Sequence, residues 1–377
     1  MTAASPLRIL YLVHDLNDAA VARRVGMLQD GGARLEIAGF YRGDAAPEKV
    51  GGTAVWSFGR SFDAQLSKRA MAVGRLVLNA GTLSRRLAAP DVIIARNLEM
   101  LAVAVALASR FASRPKVIYE CLDIHRLMLG GGAKSRIMRG VERWLLARSA
   151  LLIVSSPAFL EHYFQQRQTY RGPALLVENK PPAASAASVP AATPRPPWRI
   201  GWFGMLRCSK SLDLLSALVA ASDGKVEVLL AGKPAYTEFA DFDAAVATTP
   251  GLTYAGPYRL ADLSDLYASV HFTWAIDYFE EGLNSSWLLP NRLYEGAAHG
   301  AVPIALAGVE TGRWLKRHGA GVLIDDPAAE LPSFFQGLTA SLLTTLRAEV
   351  GAIAIGDLRF DRKDCRDLVN ALRAVSQ

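Results

Sequence analysis

Residues Pro290–Pro303 read PNRLYEGAAHGAVP. A helix begins near Pro290 or Asn291, where proline gives up no intrahelical bond. It carries Glu295 in its first turns and ends near His299-Gly300. Val302-Pro303 then opens an apolar strand, Val302–Leu306 (VPIAL). The same alternation extends in both directions. Upstream lie strands at Trp198–Phe203, Val226–Ala231, Leu252–Ala255 and Val270–Trp274, with helices at Ser211–Ala221 and Leu260–Tyr267. Downstream come a short helix at Arg313–Arg317, a last strand at Gly321–Ile324 and a largely helical tail from Ala328. Short, continuously apolar strands separated by helices predict a parallel sheet covered on both faces.

The first half repeats this layout. Strands are expected at Arg8–His14, Arg34–Phe40, Asp91–Ala95, Lys116–Tyr119 and Leu151–Ser155, and helices at Asp18–Gln29, Leu98–Phe111 and Ser135–Ala147. Between the halves runs PPAASAASVPAATPRPP (181–197), whose composition cannot build a core and reads as a linker. The expected domains are therefore 1–180, the linker 181–197 and 198–358, with a terminal helix at about 359–377 that can pack back on the first domain. Two doubly wound α/β domains would face a cleft where their strand C-termini converge.

Composition excludes several classes. The chain has 377 residues, 51% of them hydrophobic, which is enough for two cores and rules out global disorder. Cys121, Cys208 and Cys365 lie far apart, so neither a disulfide framework nor a zinc cluster is expected. The amino terminus lacks a signal-peptide pattern, and the longest apolar run, around Met100–Ser109, is too short to cross a membrane. A cytoplasmic location follows as the expectation.

Charge is unevenly placed. Residues 1–180 hold 25 Lys/Arg against 14 Asp/Glu, a formal +11, whereas residues 181–377 hold 17 against 21, a formal −4. Arg60–Arg86 and Lys134–Arg148 concentrate the excess, interleaved with Leu, Val, Met and Trp144. Basic amphipathic segments point to an anionic membrane surface. The sequence contains no nucleic-acid-binding motif, so nucleic acid is not the expected partner.

Four stretches carry candidate chemistry. In Gly201–Leu212 (GWFGMLRCSKSL) a strand ends, Gly204 permits close backbone approach, and Arg207 and Lys210 stand at a helix start. Cations there oppose the helix dipole, a conflict that a bound diphosphate would resolve. In Val117–Leu127 (VIYECLDIHRL), Glu120, Asp123 and His125 follow a strand end. Arg96 and Asn97 likewise follow the strand DVIIA, at a strand end where ligands bind in such sheets. In His14–Arg24, Asp15, Asn17 and Asp18 are helix-capping types that also suit hydrogen bonds to a polar ligand. A fifth stretch, Asp241-Phe242-Asp243, has the form of a metal-binding DxD triplet but lacks its context, and no metal is expected. Of the aromatics Trp274, Tyr278, Phe279, Trp287 and Tyr294, most belong to the core and some suit stacking on base or sugar.

Pro290, Arg292, Glu295, Gly300 and Pro303 resemble the donor-site motif of GT-B glycosyltransferases of the family 4-like group. Arg292 stands for the usual lysine, the Gly-to-Pro step is one residue longer, and Trp287 occupies the place of a second glutamate. The resemblance implies that Glu295 accepts hydrogen bonds from ribose hydroxyls of a nucleotide sugar. It adds Asn291, Arg292, Gly204, Arg207 and Lys210 to the donor site. It also implies a base at Asp123, or second at His125, for an inverting reaction. Asp15, Asn17, Arg96 and Asn97 fall to the acceptor side. YECLDIH (119–125) and NRLYE (291–295) further resemble bacterial exopolysaccharide transferases of the succinoglycan kind. These imply a hexose, glucose from UDP-glucose, delivered to a polyprenyl-diphosphate-linked saccharide at the inner membrane face, with no cofactor beyond the nucleotide-sugar donor. Two alternatives stay open: an epimerase of UDP-sugars on the same fold, and a non-catalytic subunit of a polysaccharide assembly complex.

Overall fold

The computed structural model describes residues 5–61, 66–183 and 191–377. It divides into two compact units, Met1–Asn179 with Asp361–Gln377, and Lys180–Phe360. Residues 184–190 of the Pro/Ala tract lie outside the described residues. Both described ends of that tract are tied to the second unit: Ala183 N donates to Phe360 O at 2.9 Å, and Arg347 Nη1 donates to Ala192 O at 2.7 Å.

The first unit contains strands β1 (Arg8–Val13), β2 (Arg34–Tyr41), β3 (Lys49–Val50), β4 (Thr53–Arg60), β5 (Val92–Arg96), β6 (Lys116–Cys121), β7 (Leu151–Val154) and β8 (Ala174–Leu176). Their spatial order is β3-β4-β2-β1-β5-β6-β7-β8. Among the described residues, only β3 and β4 pair antiparallel. The central strands β5 and β7 are buried at every residue, as helices on both faces require. β4 alternates irregularly between half-buried and exposed positions, so it leaves no apolar run to read in the sequence. Beyond it, the basic stretch 60–86 is not one helix: it contains the end of β4, the helix Leu66–Leu78 and the short helix Ala80–Ser84.

The terminal helix Arg362–Ser376 packs on the helix Ala19–Asp30 of this unit. Gly31 marks the contact, because a Cβ there would stand 2.3 Å from the Cys365 carbonyl oxygen. Arg373 Nη1 also donates to Ser5 O at 3.0 Å.

The second unit contains β9 (Trp198–Leu206), β10 (Val226–Pro234), β11 (Leu252–Tyr254), β12 (Phe272–Trp274), β13 (Val302–Leu306) and β14 (Val322–Ile324). All pair in parallel, in the order β11-β10-β9-β12-β13-β14. Its core is built around Trp198, Trp202, Trp274, Leu293 and Trp314. Both sheets reverse direction once, between β1 and β5 and between β9 and β12. At such a switch point the loops leaving adjacent strand C-termini diverge and open a crevice. Among the described residues no helix is long and apolar enough to cross a membrane.

Candidate active site

At the β9/β12 switch point, Gly204 (φ +116°) and Gly232 (φ +131°) sit opposite one another on β9 and β10. A Cβ on Gly232 would lie 1.8 Å from the Gly204 oxygen, so only glycine lets the two strand ends approach. Cys208 then caps the helix Ser209–Ala220, its sulfur accepting from Ser211 N at 3.4 Å. The first turn holds no acid; Lys210 stands there instead, and Arg207 just before the cap.

The loop after β12 supplies the missing counter-charge. Lys210 Nζ donates to both Glu281 oxygens at 2.8 Å and lies 4.0 Å from the Tyr278 ring centre. Arg207 is 3.9 Å from Asp277 and stacks over Phe279 at 4.5 Å. Arg292, from the helix Asn291–Ala298, stands 3.7 Å from the same Asp277 and donates to Ile276 O at 2.9 Å. Asp277 also accepts from Phe279 N at 2.8 Å and from Ser285 Oγ at 3.0 Å. Three cations from three elements thus meet one loop. The Lys210–Glu281 pair is half exposed, so it is weak and exchangeable for an incoming anion.

Glu295 is buried one turn beyond Asn291. Its Oε2 accepts from the Tyr267 hydroxyl at 3.4 Å. The Tyr267 ring meets Phe203, the residue before Gly204, edge-on at 5.0 Å and stacks on His299 at 5.6 Å. Burial, reinforced by Glu295, pushes the Tyr267 hydroxyl well above its ordinary value, so it stays a donor and Glu295 an acceptor. Asp277, Glu281 and Tyr267 were not singled out from sequence. Asp277 had a readable signal, an acid just past a strand end; Glu281 and Tyr267 are tied in only by the fold. Trp274 and Tyr294 are core residues. Asp241 caps the helix Phe242–Thr248 and Phe242 is core.

At the β1/β5 switch point, Asn97 Nδ2 lies 3.3 Å from His14 Nδ1. Asn97 holds φ +67°, a conformation asparagine tolerates better than most residues, and its Oδ1 is buried with no hydrogen-bond partner among the described residues. Burial pushes the His14 ring down to about 4, the charges of Arg96 and Arg42 adding to it. A cavity of about 170 Å³ opens here, lined among others by His14, Arg60, Lys68, Arg69 and Glu99.

Arg96 is turned away from this cavity into a buried cluster. Glu120 accepts from Tyr11 Oη at 2.6 Å, Arg24 Nε at 2.6 Å and Arg96 Nε at 3.2 Å. Arg96 also lies 3.6 Å from Asp18, which caps the helix Ala19–Asp30. Asp15 accepts from the backbone N–H groups of Asn17 (3.1 Å) and Arg42 (3.0 Å), and Asn17 Nδ2 donates to Arg42 O, so both residues shape the turn after β1.

Asp123 and His125 are exposed past the end of β6. His125 Nδ1 accepts from Leu127 N at 3.2 Å and so caps the helix Arg126–Leu129. Burial and the nearby Arg69 charge hold this imidazole below its ordinary value. A neutral ring that accepts at Nδ1 carries its proton on Nε2, so His125 presents a donor to solvent. Asp123 is the stronger candidate base.

A family model described as a glycosyl transferase 4-like domain matches residues 18–180. Over 379 aligned residues the chain is 44% identical to the succinoglycan biosynthesis protein ExoL of Rhizobium meliloti (strain 1021), covering 98% of this chain and 94% of that protein. Anabaena Alr3699/HepE, solved in complex with UDP and glucose, has a TM-score of 0.70 at 15% identity, over 98% of this chain and 99% of that one. The lipopolysaccharide outer core galactosyltransferase WaaB has a TM-score of 0.65 at 12% identity, over 98% and 99% of the two chains. The structural likenesses fix the fold as GT-B, and the sequence likeness fixes the group. The chain belongs to the family 4-like glycosyltransferases of the GT-B fold.

Proposed function

We propose that this transferase moves a hexose, glucose, from UDP-glucose to a polyprenyl-diphosphate-linked saccharide in the assembly of a succinoglycan-type exopolysaccharide. The work is done in the cytoplasm at the inner face of the cell membrane, with the basic first unit toward the anionic surface. The observation that carries this reading is the gathering of Arg207, Lys210 and Arg292 at the β9/β12 switch point, with Glu295 buried on the same helix as Arg292. The curated relative named for succinoglycan biosynthesis and the neighbour solved with UDP and glucose support it.

The diphosphate sits over the first turn of the helix Ser209–Ala220, beside Gly204, where free N–H groups and the dipole favour anions. Lys210 leaves Glu281 for phosphate oxygen, and Arg207 and Arg292 neutralise the charge of the departing UDP. Asn291 and Glu295 take the nucleoside end, Glu295 accepting both ribose hydroxyls. On the acceptor side, Asp15, Asn17 and Asn97 offer polar contacts, while Arg96 is held inward by Glu120. The acceptor oxygen attacks the anomeric carbon, the bond from that carbon to the UDP oxygen breaks, and Asp123 takes the hydroxyl proton.

Incubating the full chain with UDP-[14C]glucose and a membrane lipid extract tests the reading. Label moving into the organic phase, lost in Asp123→Asn and Lys210→Ala, is the expected result. Label retained entirely in UDP-glucose, with no free UDP formed, contradicts it.

A further inference from the structure

The helix Ala133–Leu146 has one face held in the first unit and one face left open. Ser135, Glu142, Leu145 and Leu146 are buried. Glu142 fixes the rotation of the helix: its carboxylate accepts from Tyr119 Oη at 2.9 Å, and from Tyr163 and Gln168. At 100° per residue, Ile137, Val141 and Trp144 then form a single row on the opposite side. They are 66%, 45% and 54% exposed, and Met138 beside them is 37% exposed. Lone exposed apolar residues are ordinary, but a contiguous row of them on one helix is not.

The frame around the row is cationic. Lys134 and Arg148 continue it at its two ends, and the exposed Arg136 and Arg143 run along one flank. The Arg148 guanidinium lies 3.6 Å from the Trp144 ring centre, leaving an aromatic and a cation side by side. Glu142 is the one acid between Lys134 and Arg148, and it points inward, so no negative charge interrupts the face. The helix Leu66–Leu78, with Met71, Leu78, Lys68 and Arg75 exposed, packs on the same helix, Asn97–Ala108, as Ala133–Leu146 does.

We infer that the outward face of the helix Ala133–Leu146 docks on an anionic phospholipid bilayer, with Ile137, Val141 and Trp144 entering the interface and Lys134, Arg136 and Arg148 meeting lipid phosphates. An apolar row inside a cationic frame matches what such a surface offers at one depth: acyl chains below and negative headgroups around. A protein partner, or a second copy of this chain, would have to bring an acidic rim of its own. The inference rests on the membrane part of the proposed function and names the element that makes the contact.

Vesicle co-sedimentation of the full chain tests it, with phosphatidylglycerol/phosphatidylcholine vesicles beside pure phosphatidylcholine. The wild type should partition about tenfold more strongly onto the anionic vesicles, and added salt should weaken it. Ile137→Asp with Trp144→Ala should lower that partition by about tenfold, and Lys134→Glu with Arg136→Glu should remove the preference for anionic lipid. A thermal melt followed by far-UV circular dichroism on each variant reports that the first unit, which holds every substituted residue, is folded, and UDP titration reports that the second unit is intact. Wild type and variants pelleting alike, or a wild type that stays in the supernatant, overturns the inference and leaves the donor site untouched. So does a wild-type dimer that Ile137→Asp converts to monomer with no change in vesicle binding. Vesicle binding without any nucleotide binding would instead sink the transferase reading alone.

Discussion

Replacing Glu120 by alanine removes the one carboxylate that Tyr11, Arg24 and Arg96 share. The group is fully buried. Burial pushes its pKa up, but the charges of Arg96 and Arg24 and the Tyr11 hydrogen bond together outweigh that and hold it below the ordinary value. Without it, two buried guanidiniums face each other. Asp18, 3.6 Å from Arg96 and one third exposed, is a poor substitute. Breaking a buried ion pair from one side costs about 3–5 kcal/mol. For a domain of this size that is a fall in Tm of roughly 6–20 °C. Glu120→Gln keeps the shape and one acceptor oxygen and should lose less. The sign with pH is fixed. A depressed carboxylate pKa gives stability that is present above the unfolded value and lost as pH falls through the folded one. The gap between wild type and Glu120→Ala should therefore shrink on acidification. Differential scanning calorimetry reads the loss, and UDP titration well below the transition reports on the second unit, which should bind as before. A Glu120→Ala protein with an unchanged Tm and no turnover would refute this account and make Glu120 a catalytic group.

Gly232→Ala should lose roughly 2–5 kcal/mol and abolish nucleotide binding, because the Cβ meets the Gly204 carbonyl and the φ of +131° suits only glycine; urea unfolding followed by Trp fluorescence checks it. His14, held at about 4 when folded against 6.5 unfolded, refuses a proton that the unfolded chain takes. Stability should therefore fall by roughly 1 kcal/mol between pH 7.5 and 5.5, level off below pH 4, and show that component removed in His14→Asn. Asp123→Asn should lower kcat by about 10²–10⁴, while His125→Asn, which still caps its helix, should stay within a few-fold. A full-rate Asp123→Asn enzyme would mean a transfer that needs no base from this position.

Strands buried on both faces were legible because they leave uninterrupted apolar runs, as RILYLV and VIIAR do. The half-exposed β4 was not, since it presents no clean apolar pattern, and the helix Leu66–Leu78 was legible only as part of the basic amphipathic stretch 60–86, without its bounds. At the site, the cations at the start of Ser209–Ala220 could be read from their conflict with the helix dipole. Their acidic partners could not, because Asp277 and Glu281 come from a loop some 70 residues further on, and only the strand order places β12 beside β9. Residue type also misleads just past the strand ends. Arg96 follows a strand end as a ligand-binding arginine would, yet the fold turns it inward onto Glu120. His125 reads as a base until its lone pair is found capping a helix.

The central claim, a nucleotide-sugar site at the β9/β12 switch point, is met most directly by isothermal titration of the full chain with UDP, GDP and ADP, wild type beside Glu295→Ala. Micromolar binding of UDP in preference to the others, weakened at least tenfold (about 1.4 kcal/mol) in the variant, is the predicted result. No nucleotide binding, or UDP binding unchanged in Glu295→Ala, would contradict it.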